Sequence, residues 1–226
     1  MLKNQVDYLQ LFSARPILLS NADQFDLVRR CVSEAKKFLD AASIAEVLDV
    51  LFEQAANRRC VLDSVKRIFH VGFLVENRPQ TIDWLKKFSC EVGLASGHVV
   101  FESTIISREL GELSGQPEVP TTIFNAFEHE AGAANYIEVF VPNHSGEIVT
   151  DWIKHEVGTH IGFTLTDPSR FLDVRDAFLA EGFEIPTFME GRPMTNATVG
   201  ASAIYFDKLH GGRTVRIELG NCAASV

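Results

Sequence analysis

Through residues 1–66 the apolar positions recur at spacings of three and four. In "SNADQFDLVRRCVSEAKKFLDAA", Phe25, Val28, Val32, Ala35 and Leu39 form one stripe, which predicts an amphipathic helix with Asn21 as its cap. "SIAEVLDVLFEQAANRR" predicts a second helix. Ser43 followed by Glu46 has the spacing of a capping box, and Leu48, Leu51, Phe52 and Ala55 make the expected buried face. These helices carry no evident chemistry, so the reading is a packing appendage or a dimerisation element.

From Phe69 the pattern changes. "FHVGFLVE" is short, apolar and rich in strand formers, and "QTIDWLKKF" is helical. "HVVFESTII", "TTIFNAFEH" and "YIEVFVP" follow as strands, with turn residues between them in "GELSGQPEVP". The order then recurs. "THIGFTL" reads as a strand and "SRFLDVRDAFLAEG" as a helix, before strands in "FEIPTFM", "SAIYFDK" and "TVRIELG".

The recurrence is visible in the letters. "HVGFLVENRPQTIDWLKKF" (70–88) lies over "HIGFTLTDPSRFLDVRDAF" (160–178) at an offset of 90 without a gap. His70/His160, Gly72/Gly162, Phe73/Phe163, Asp83/Asp173 and Phe88/Phe178 are identical. Each copy ends in a strand with a central glutamate, "YIEVF" or "RIELG". The expected fold is α+β: a helical segment (1–66), then two βαβββ modules (67–145 and 146–226). Neither small sheet can bury its face alone, so the two should pack into one cupped mixed sheet and form a single metal-binding domain.

Composition narrows the function. The chain has 226 residues, enough to bury a sizeable core, with 46% hydrophobic and 23% charged residues. Its net charge of −9 argues against a nucleic-acid surface. No apolar run approaches the roughly 20 residues of a membrane span, and "MLKNQVDYLQLF" lacks the pattern of a signal peptide. Cys31, Cys60, Cys90 and Cys222 are scattered, which fits free thiols and a cytoplasmic protein.

One stretch, "KHEVGTHIGFTL" (154–165), comes close to a zinc-protease H-E-x-x-H motif. That motif needs histidines four apart on one helix face. His155 and His160 are five apart, Gly158 lies between them, and the run from Thr159 is strand-like. The motif is therefore rejected, and solvation is expected for His155.

The residues that carry chemistry emerge from the repeat: His70, Glu138, His160 and Glu218. Each histidine opens a module's first strand, and each glutamate sits mid-way along its last. Alternation puts Glu138 on a face with Tyr136 and Phe140, and Glu218 on a face with Arg216 and Gly220. A carboxylate among apolar neighbours needs a cation or hydrogen-bond donors. Two histidines and two carboxylates suit a divalent metal with open positions. The structural alternative, for each residue singly, is a hydrogen-bonded histidine or a glutamate paired with arginine, with Arg216 as a candidate neighbour of Glu218.

Two βαβββ modules, each opening with H-[VI]-G-F and closing with I-E-[VL], resemble the vicinal-oxygen-chelate superfamily, which includes glyoxalase I, methylmalonyl-CoA epimerase, extradiol dioxygenases and fosfomycin-resistance proteins. The resemblance covers residues 68–221, including "YFDKLHGGRTVRIELGN" as the closing hairpin. It implies a cupped sheet with His70, Glu138, His160 and Glu218 around one Zn, Ni, Mn, Co or Fe ion. It also implies Lewis-acid chemistry on a small oxygen-rich substrate, with Glu138 or Glu218 moving the proton. A lyase or isomerase of glyoxalase or epimerase type is expected. The runner-up is an iron dioxygenase using His70, His160 and Glu218. Two non-enzymes remain: a small-molecule-binding protein, and a regulatory protein with a structural metal or anion-bridging site. The helical N-terminus departs from the family pattern, no stretch reads as a glutathione or CoA site, and a homodimer is possible.

Other polar residues could line the cup: Glu102, Asn125, His129, Arg192 and Asn196. For each alone, a solvated strand-edge position is the expectation.

Overall fold

A computed structural model describes residues 11–91, 98–127, 136–196 and 200–222. The chain opens with four helices: α1 (Arg15–Leu18), α2 (Gln24–Ala41), α3 (Ile44–Leu51) and α4 (Ala55–Ser64). Then come β1 (Val65–Leu74), α5 (Thr81–Glu91), β2 (His98–Glu102), α6 (Thr104–Ser114), β3 (Thr121–Phe127) and β4 (Tyr136–Pro142). After α7 (Glu147–Lys154), the second half supplies β5 (His160–Leu165), α8 (Phe171–Ala180), β6 (Met194–Thr195), β7 (Ser202–His210) and β8 (Arg213–Gly220).

The strands form one eight-stranded curled sheet in the order β2-β3-β4-β1-β5-β8-β7-β6. The halves join edge to edge through the antiparallel β1–β5 pair, flanked by the parallel pairs β1–β4 and β5–β8. The fold is α+β, as expected. The first and last strands of each half become the four central strands of the sheet.

On the outer face, Val71, Phe73, Ile161, Phe163, Ile204, Phe206, Ile217 and Leu219 are buried. The N-terminal helices belong to this core. Phe12 packs on Phe73 and on Phe38 of α2, and Phe25 of α2 stacks on Trp84 of α5 with ring centroids 4.7 Å apart. Phe52 meets Phe178 of α8, which stacks on Phe206 of β7. No helix among the described residues is long and apolar enough to cross a membrane. Cys31, Cys60 and Cys222 are free thiols, and the side chain of Cys90 lies outside the described set.

Several local expectations fail for physical reasons. The cap of α2 is Asp23, which accepts from Phe25 N, rather than Asn21. The predicted second helix breaks at Phe52–Gln54, so Ala55 is exposed. The Glu181 carboxylate, distant in sequence, accepts from Glu53 N, Gln54 N and Asn57 Nδ2 and thereby holds the break between α3 and α4. The capping box of Ser43 and Glu46 is present.

"HVVFESTII" is a strand only to Glu102; the rest enters α6, which also absorbs the expected loop residues "GELS". Ser103 caps α6, and Gly115 at φ +68° ends it. "FEIPTFM" makes only a bridge, Glu184 to Asp207, and a 3-10 turn entered at Pro186, which has no N–H for a ladder. The outer strand of that half is the two-residue β6. By contrast, β7 and β8 close as expected through Gly211 and Gly212, both at positive φ, as a two-residue hairpin turn requires.

The helix α6 lies across one end of the inner face. Arg216 of β8 donates to Glu109 of α6 at 2.7 and 2.8 Å and to Asp207 of β7 at 2.7 Å. Arg108 and Glu112 of α6 hold Glu190 and Thr187 at the rim. Breaking a buried ion pair leaves an uncompensated charge. Glu109→Ala is expected to cost about 3 kcal/mol, the lower end of the usual range because Asp207 still neutralises Arg216. Urea unfolding measures it; a loss below about 1 kcal/mol would mean that α6 is not pinned by this pair.

Candidate metal centre

The register of the central strands places the four candidate residues together. On β1 and β5, His70 pairs with Gly162 and Gly72 with His160. On the outer sides of that seam, Gly72 pairs with Glu138 of β4, and Gly162 with Glu218 of β8. The sequence pattern H-x-G thus acquires a reason. Each imidazole crosses the seam and lies over the glycine of the other half. A Cβ on Gly162 would stand 2.6 Å from the His70 ring, and one on Gly72 would meet the His160 ring closer still. A bulge at Phe69 lets both Phe69 and His70 face inward; Phe69 lies beneath Gly220.

All four residues are buried, and one ligand atom from each lies within 4.8 Å of the others. His70 Nε2 is 3.6 Å from Glu218 and 3.8 Å from Glu138; His160 Nε2 is 3.3 Å from Glu218 and 3.7 Å from Glu138. The two Nε2 atoms are 2.7 Å apart. Ligands about 2.1 Å from one ion stand roughly 3–4 Å from each other; the four His–Glu separations lie in that range, and the two Nε2 atoms, at hydrogen-bonding distance here, would move apart by several tenths of an ångström around an ion. His160 Nδ1 donates to the Gly158 carbonyl at 2.9 Å, which turns the lone pair of its Nε2 toward the cluster. The Nδ1 of His70 has no hydrogen-bond partner among the described residues.

Electrostatics show how unfavourable these groups are without a cation. Burial pushes Glu138 up to about 7, against the pull of His70 and Asn125. Burial drives His160 down to about 3. For His70, burial acts downward, but the carboxylates of Glu138 and Glu218 outweigh it and raise the imidazole. For Glu218, burial acts upward, and His70, His160 and the Tyr205 hydroxyl outweigh it and hold the carboxyl low.

The supporting groups were only partly visible in the sequence. Asn125, opposite Glu138 on β3, is buried rather than solvated. A carboxylate only accepts, so Asn125 gives Glu138 its Nδ2 and leaves Oδ1 without a partner among the described residues. Tyr205, opposite Glu218 on β7, is buried and hydrogen-bonded to that carboxylate. The signal for Tyr205 was alternation along "SAIYFDK" set against the register of the closing hairpin. Arg216 serves α6 and Asp207 rather than Glu218. Asn196 is also buried, with Nδ2 3.4 Å from the Glu102 carbonyl. Glu102 and Arg192 are exposed, and His129 lies outside the described residues. His155, at the end of α7, is exposed and contacts the Asp151 carbonyl, well apart from buried His160.

No protein-family model matches the chain, and no curated protein sequence matches it. Solved structures of similar fold include a single-residue variant of methylmalonyl-CoA epimerase from Streptomyces coelicolor in complex with 2-nitronate-propionyl-CoA. It is 20% identical, with a TM-score of 0.40, and the match covers 72% of this chain and 100% of that one. Methylmalonyl-CoA epimerase from Mycobacterium tuberculosis is 14% identical, with a TM-score of 0.38 and coverage of 69% and 87%. A mutant of 4-hydroxymandelate synthase from Streptomyces coelicolor is 11% identical, with a TM-score of 0.47 and coverage of 72% and 51%.

Two outcomes are expected. Gly162→Ala should fold but bind Ni(II) or Zn(II) at least about tenfold more weakly, because the new methyl displaces His70; unchanged affinity in a competition titration would refute the crossing-ring geometry. Metal affinity should also fall as pH drops below about 7, because Glu138 and His70 both hold protons there that the ion must displace. The slope of log affinity against pH should exceed that of a single histidine, approaching about 2.

Proposed function

We propose that this chain is a divalent-metal-dependent enzyme of glyoxalase or epimerase type. The observation that carries the reading is the convergence of two imidazoles and two carboxylates, from four different strands, on one buried point. A divalent ion held by His70, Glu138, His160 and Glu218 would supply Lewis acidity toward substrate oxygens.

The two glutamates are assigned different parts. Glu218 stands nearer both imidazoles and takes the Tyr205 hydroxyl, so it is the fixed ligand. Glu138 stands farther from both, and its hydrogen bond comes from the Asn125 amide. Glu138 is therefore the carboxylate that accepts a proton from carbon and returns it. The inner-face aromatics Tyr136, Phe140 and Tyr205 exclude water around it.

A second reading has its own support. His70, His160 and Glu218 are the tighter subset, and two histidines with one carboxylate are the ligand set of non-heme iron oxygenases. In that case Glu138 is a neighbouring carboxylate rather than a ligand.

Metal analysis separates the readings. The purified protein should carry, or take up, about one equivalent of nickel, zinc, manganese, cobalt or iron. His160→Ala and Glu218→Gln should lose it, while Glu138→Gln should keep it within about tenfold affinity and lose proton exchange at the substrate carbon. Failure to bind any of these ions would remove the enzyme reading. Oxygen consumption by the iron form with a catechol would favour the dioxygenase instead.

A further inference from the structure

Among the described residues, the inner face around the four-ligand centre is sealed at one end and less covered at the other. Toward α6, the inner face is sealed: Leu74, Phe140, Gly158, Glu109 and Arg216 are all buried. Toward the opposite end the inner-face residues Phe69, Tyr136, Thr164 and Ser202 are half-buried. Among the described residues this second end is the less covered approach to the centre.

Arg67 stands there. Its strand partner is Thr164, and cross-strand partners share a face. Thr164 shares the inner face with His160 and Gly162 by alternation. Bulges on both sides of Arg67, at Lys66 and at Phe69, keep it pointing inward while β1 still delivers His70 to the centre. The row of Arg67 and Thr164 is one step from the row of His70 and Gly162, a distance of about 7 Å along the strand. The guanidinium is near enough for its charge to act on the Tyr136 hydroxyl, which itself packs against the His70 ring at 4.8 Å between centroids.

What marks Arg67 is its lack of a partner. Its Nε is buried, yet it has no hydrogen bond, and the guanidinium makes no ion pair among the described residues. The other inner-face arginine, Arg216, is fully engaged by Glu109 and Asp207. In a chain with net charge −9, acidic groups to satisfy Arg67 are not scarce. A buried donor without an acceptor costs free energy unless a ligand supplies one. A guanidinium fork matches a carboxylate in geometry and charge.

We propose that Arg67 binds a carboxylate of the substrate, so that the substrate class is a small acid carrying metal-chelating oxygens at one end and a carboxylate at the other. This rests on the metal-centre reading above. It adds a binding residue outside the four ligands and a direction: the chelating end lies deep, and the carboxylate faces the open end of the sheet.

The test uses two probes with the same chelating head. Acetohydroxamate has two neighbouring oxygens and no charge at the far end; the monohydroxamate of succinate adds a terminal carboxylate. Calorimetric titration of the nickel-loaded protein should show the carboxylate probe binding roughly ten- to a hundredfold more tightly. Arg67→Gln should abolish that preference, leave the affinity for acetohydroxamate within about twofold, and leave metal content and thermal unfolding unchanged. Arg67→Lys should restore part of the preference, because it keeps the charge without the fork. Equal binding of both probes by the unaltered protein overturns the carboxylate assignment while leaving the metal centre intact. A preference that survives Arg67→Gln also overturns it. Failure of both probes to bind a metal-loaded protein, or failure to load metal, overturns the parent reading instead.

Discussion

Two imidazoles must cross the β1–β5 seam to reach one point, and the rest of the structure is arranged around that crossing. Each ring needs the space where a neighbouring side chain would stand, so the residue opposite each histidine is glycine. The parallel partners β4 and β8 then bring a glutamate to the flank of each glycine. Four ionisable groups are thereby gathered out of water, where their opposed shifts measure the cost. A dication at their centre would relieve carboxylate repulsion and use both imidazole lone pairs at once. No single hydrogen bond among the four could do as much.

The duplication is symmetric in its four central strands and asymmetric around them. In the first half, α6 is inserted between β2 and β3; in the second, the corresponding outer strand shrinks to β6 and a 3-10 turn. These departures fit each other. The turn at Thr187–Met189 and its flanking Glu190 hold the side of α6 through Thr187–Glu112 and Glu190–Arg108 contacts. Beneath it, Arg216 anchors Glu109 two residues along β8 from Glu218. A cup that would otherwise be open at both ends is thus closed at one. Among the described residues, the less covered end is the one that carries Arg67.

Much of this was legible in the chain because the repeat is carried by the residues that the site constrains. His, Gly and Phe recur at an offset of 90, since each stands in the same place in each half: candidate ligand, space for the opposite ring, and outer-face core. The central strands were readable because their outward residues are strongly apolar. The outer elements were not. "STII" has the β-branched character of a strand, yet a Ser cap and a Gly stop make it a helix once its apolar side has the cup to pack into. The break between α3 and α4 depends on Glu181, a residue more than 120 positions away, and no local pattern records that. Arg67 escaped notice for a different reason. Its inward direction is set by two bulges, and simple alternation from His70 would assign it to the outer face.

The N-terminal helices bear on the same constraint. They cover the outer side of the strands that carry the histidines. Phe12 packs on Phe73, immediately after Gly72, and α2 and α3 lie against β1 while α4 lies against α8. Arg213, at the start of β8, ties Glu156, in the turn before β5, to the carbonyl of Phe12. The two carboxylates of this cluster repel each other whenever both are ionised. Holding that geometry before a ligand arrives requires a stiff support behind the seam. The helical layer packs there, behind the strands of the candidate metal centre.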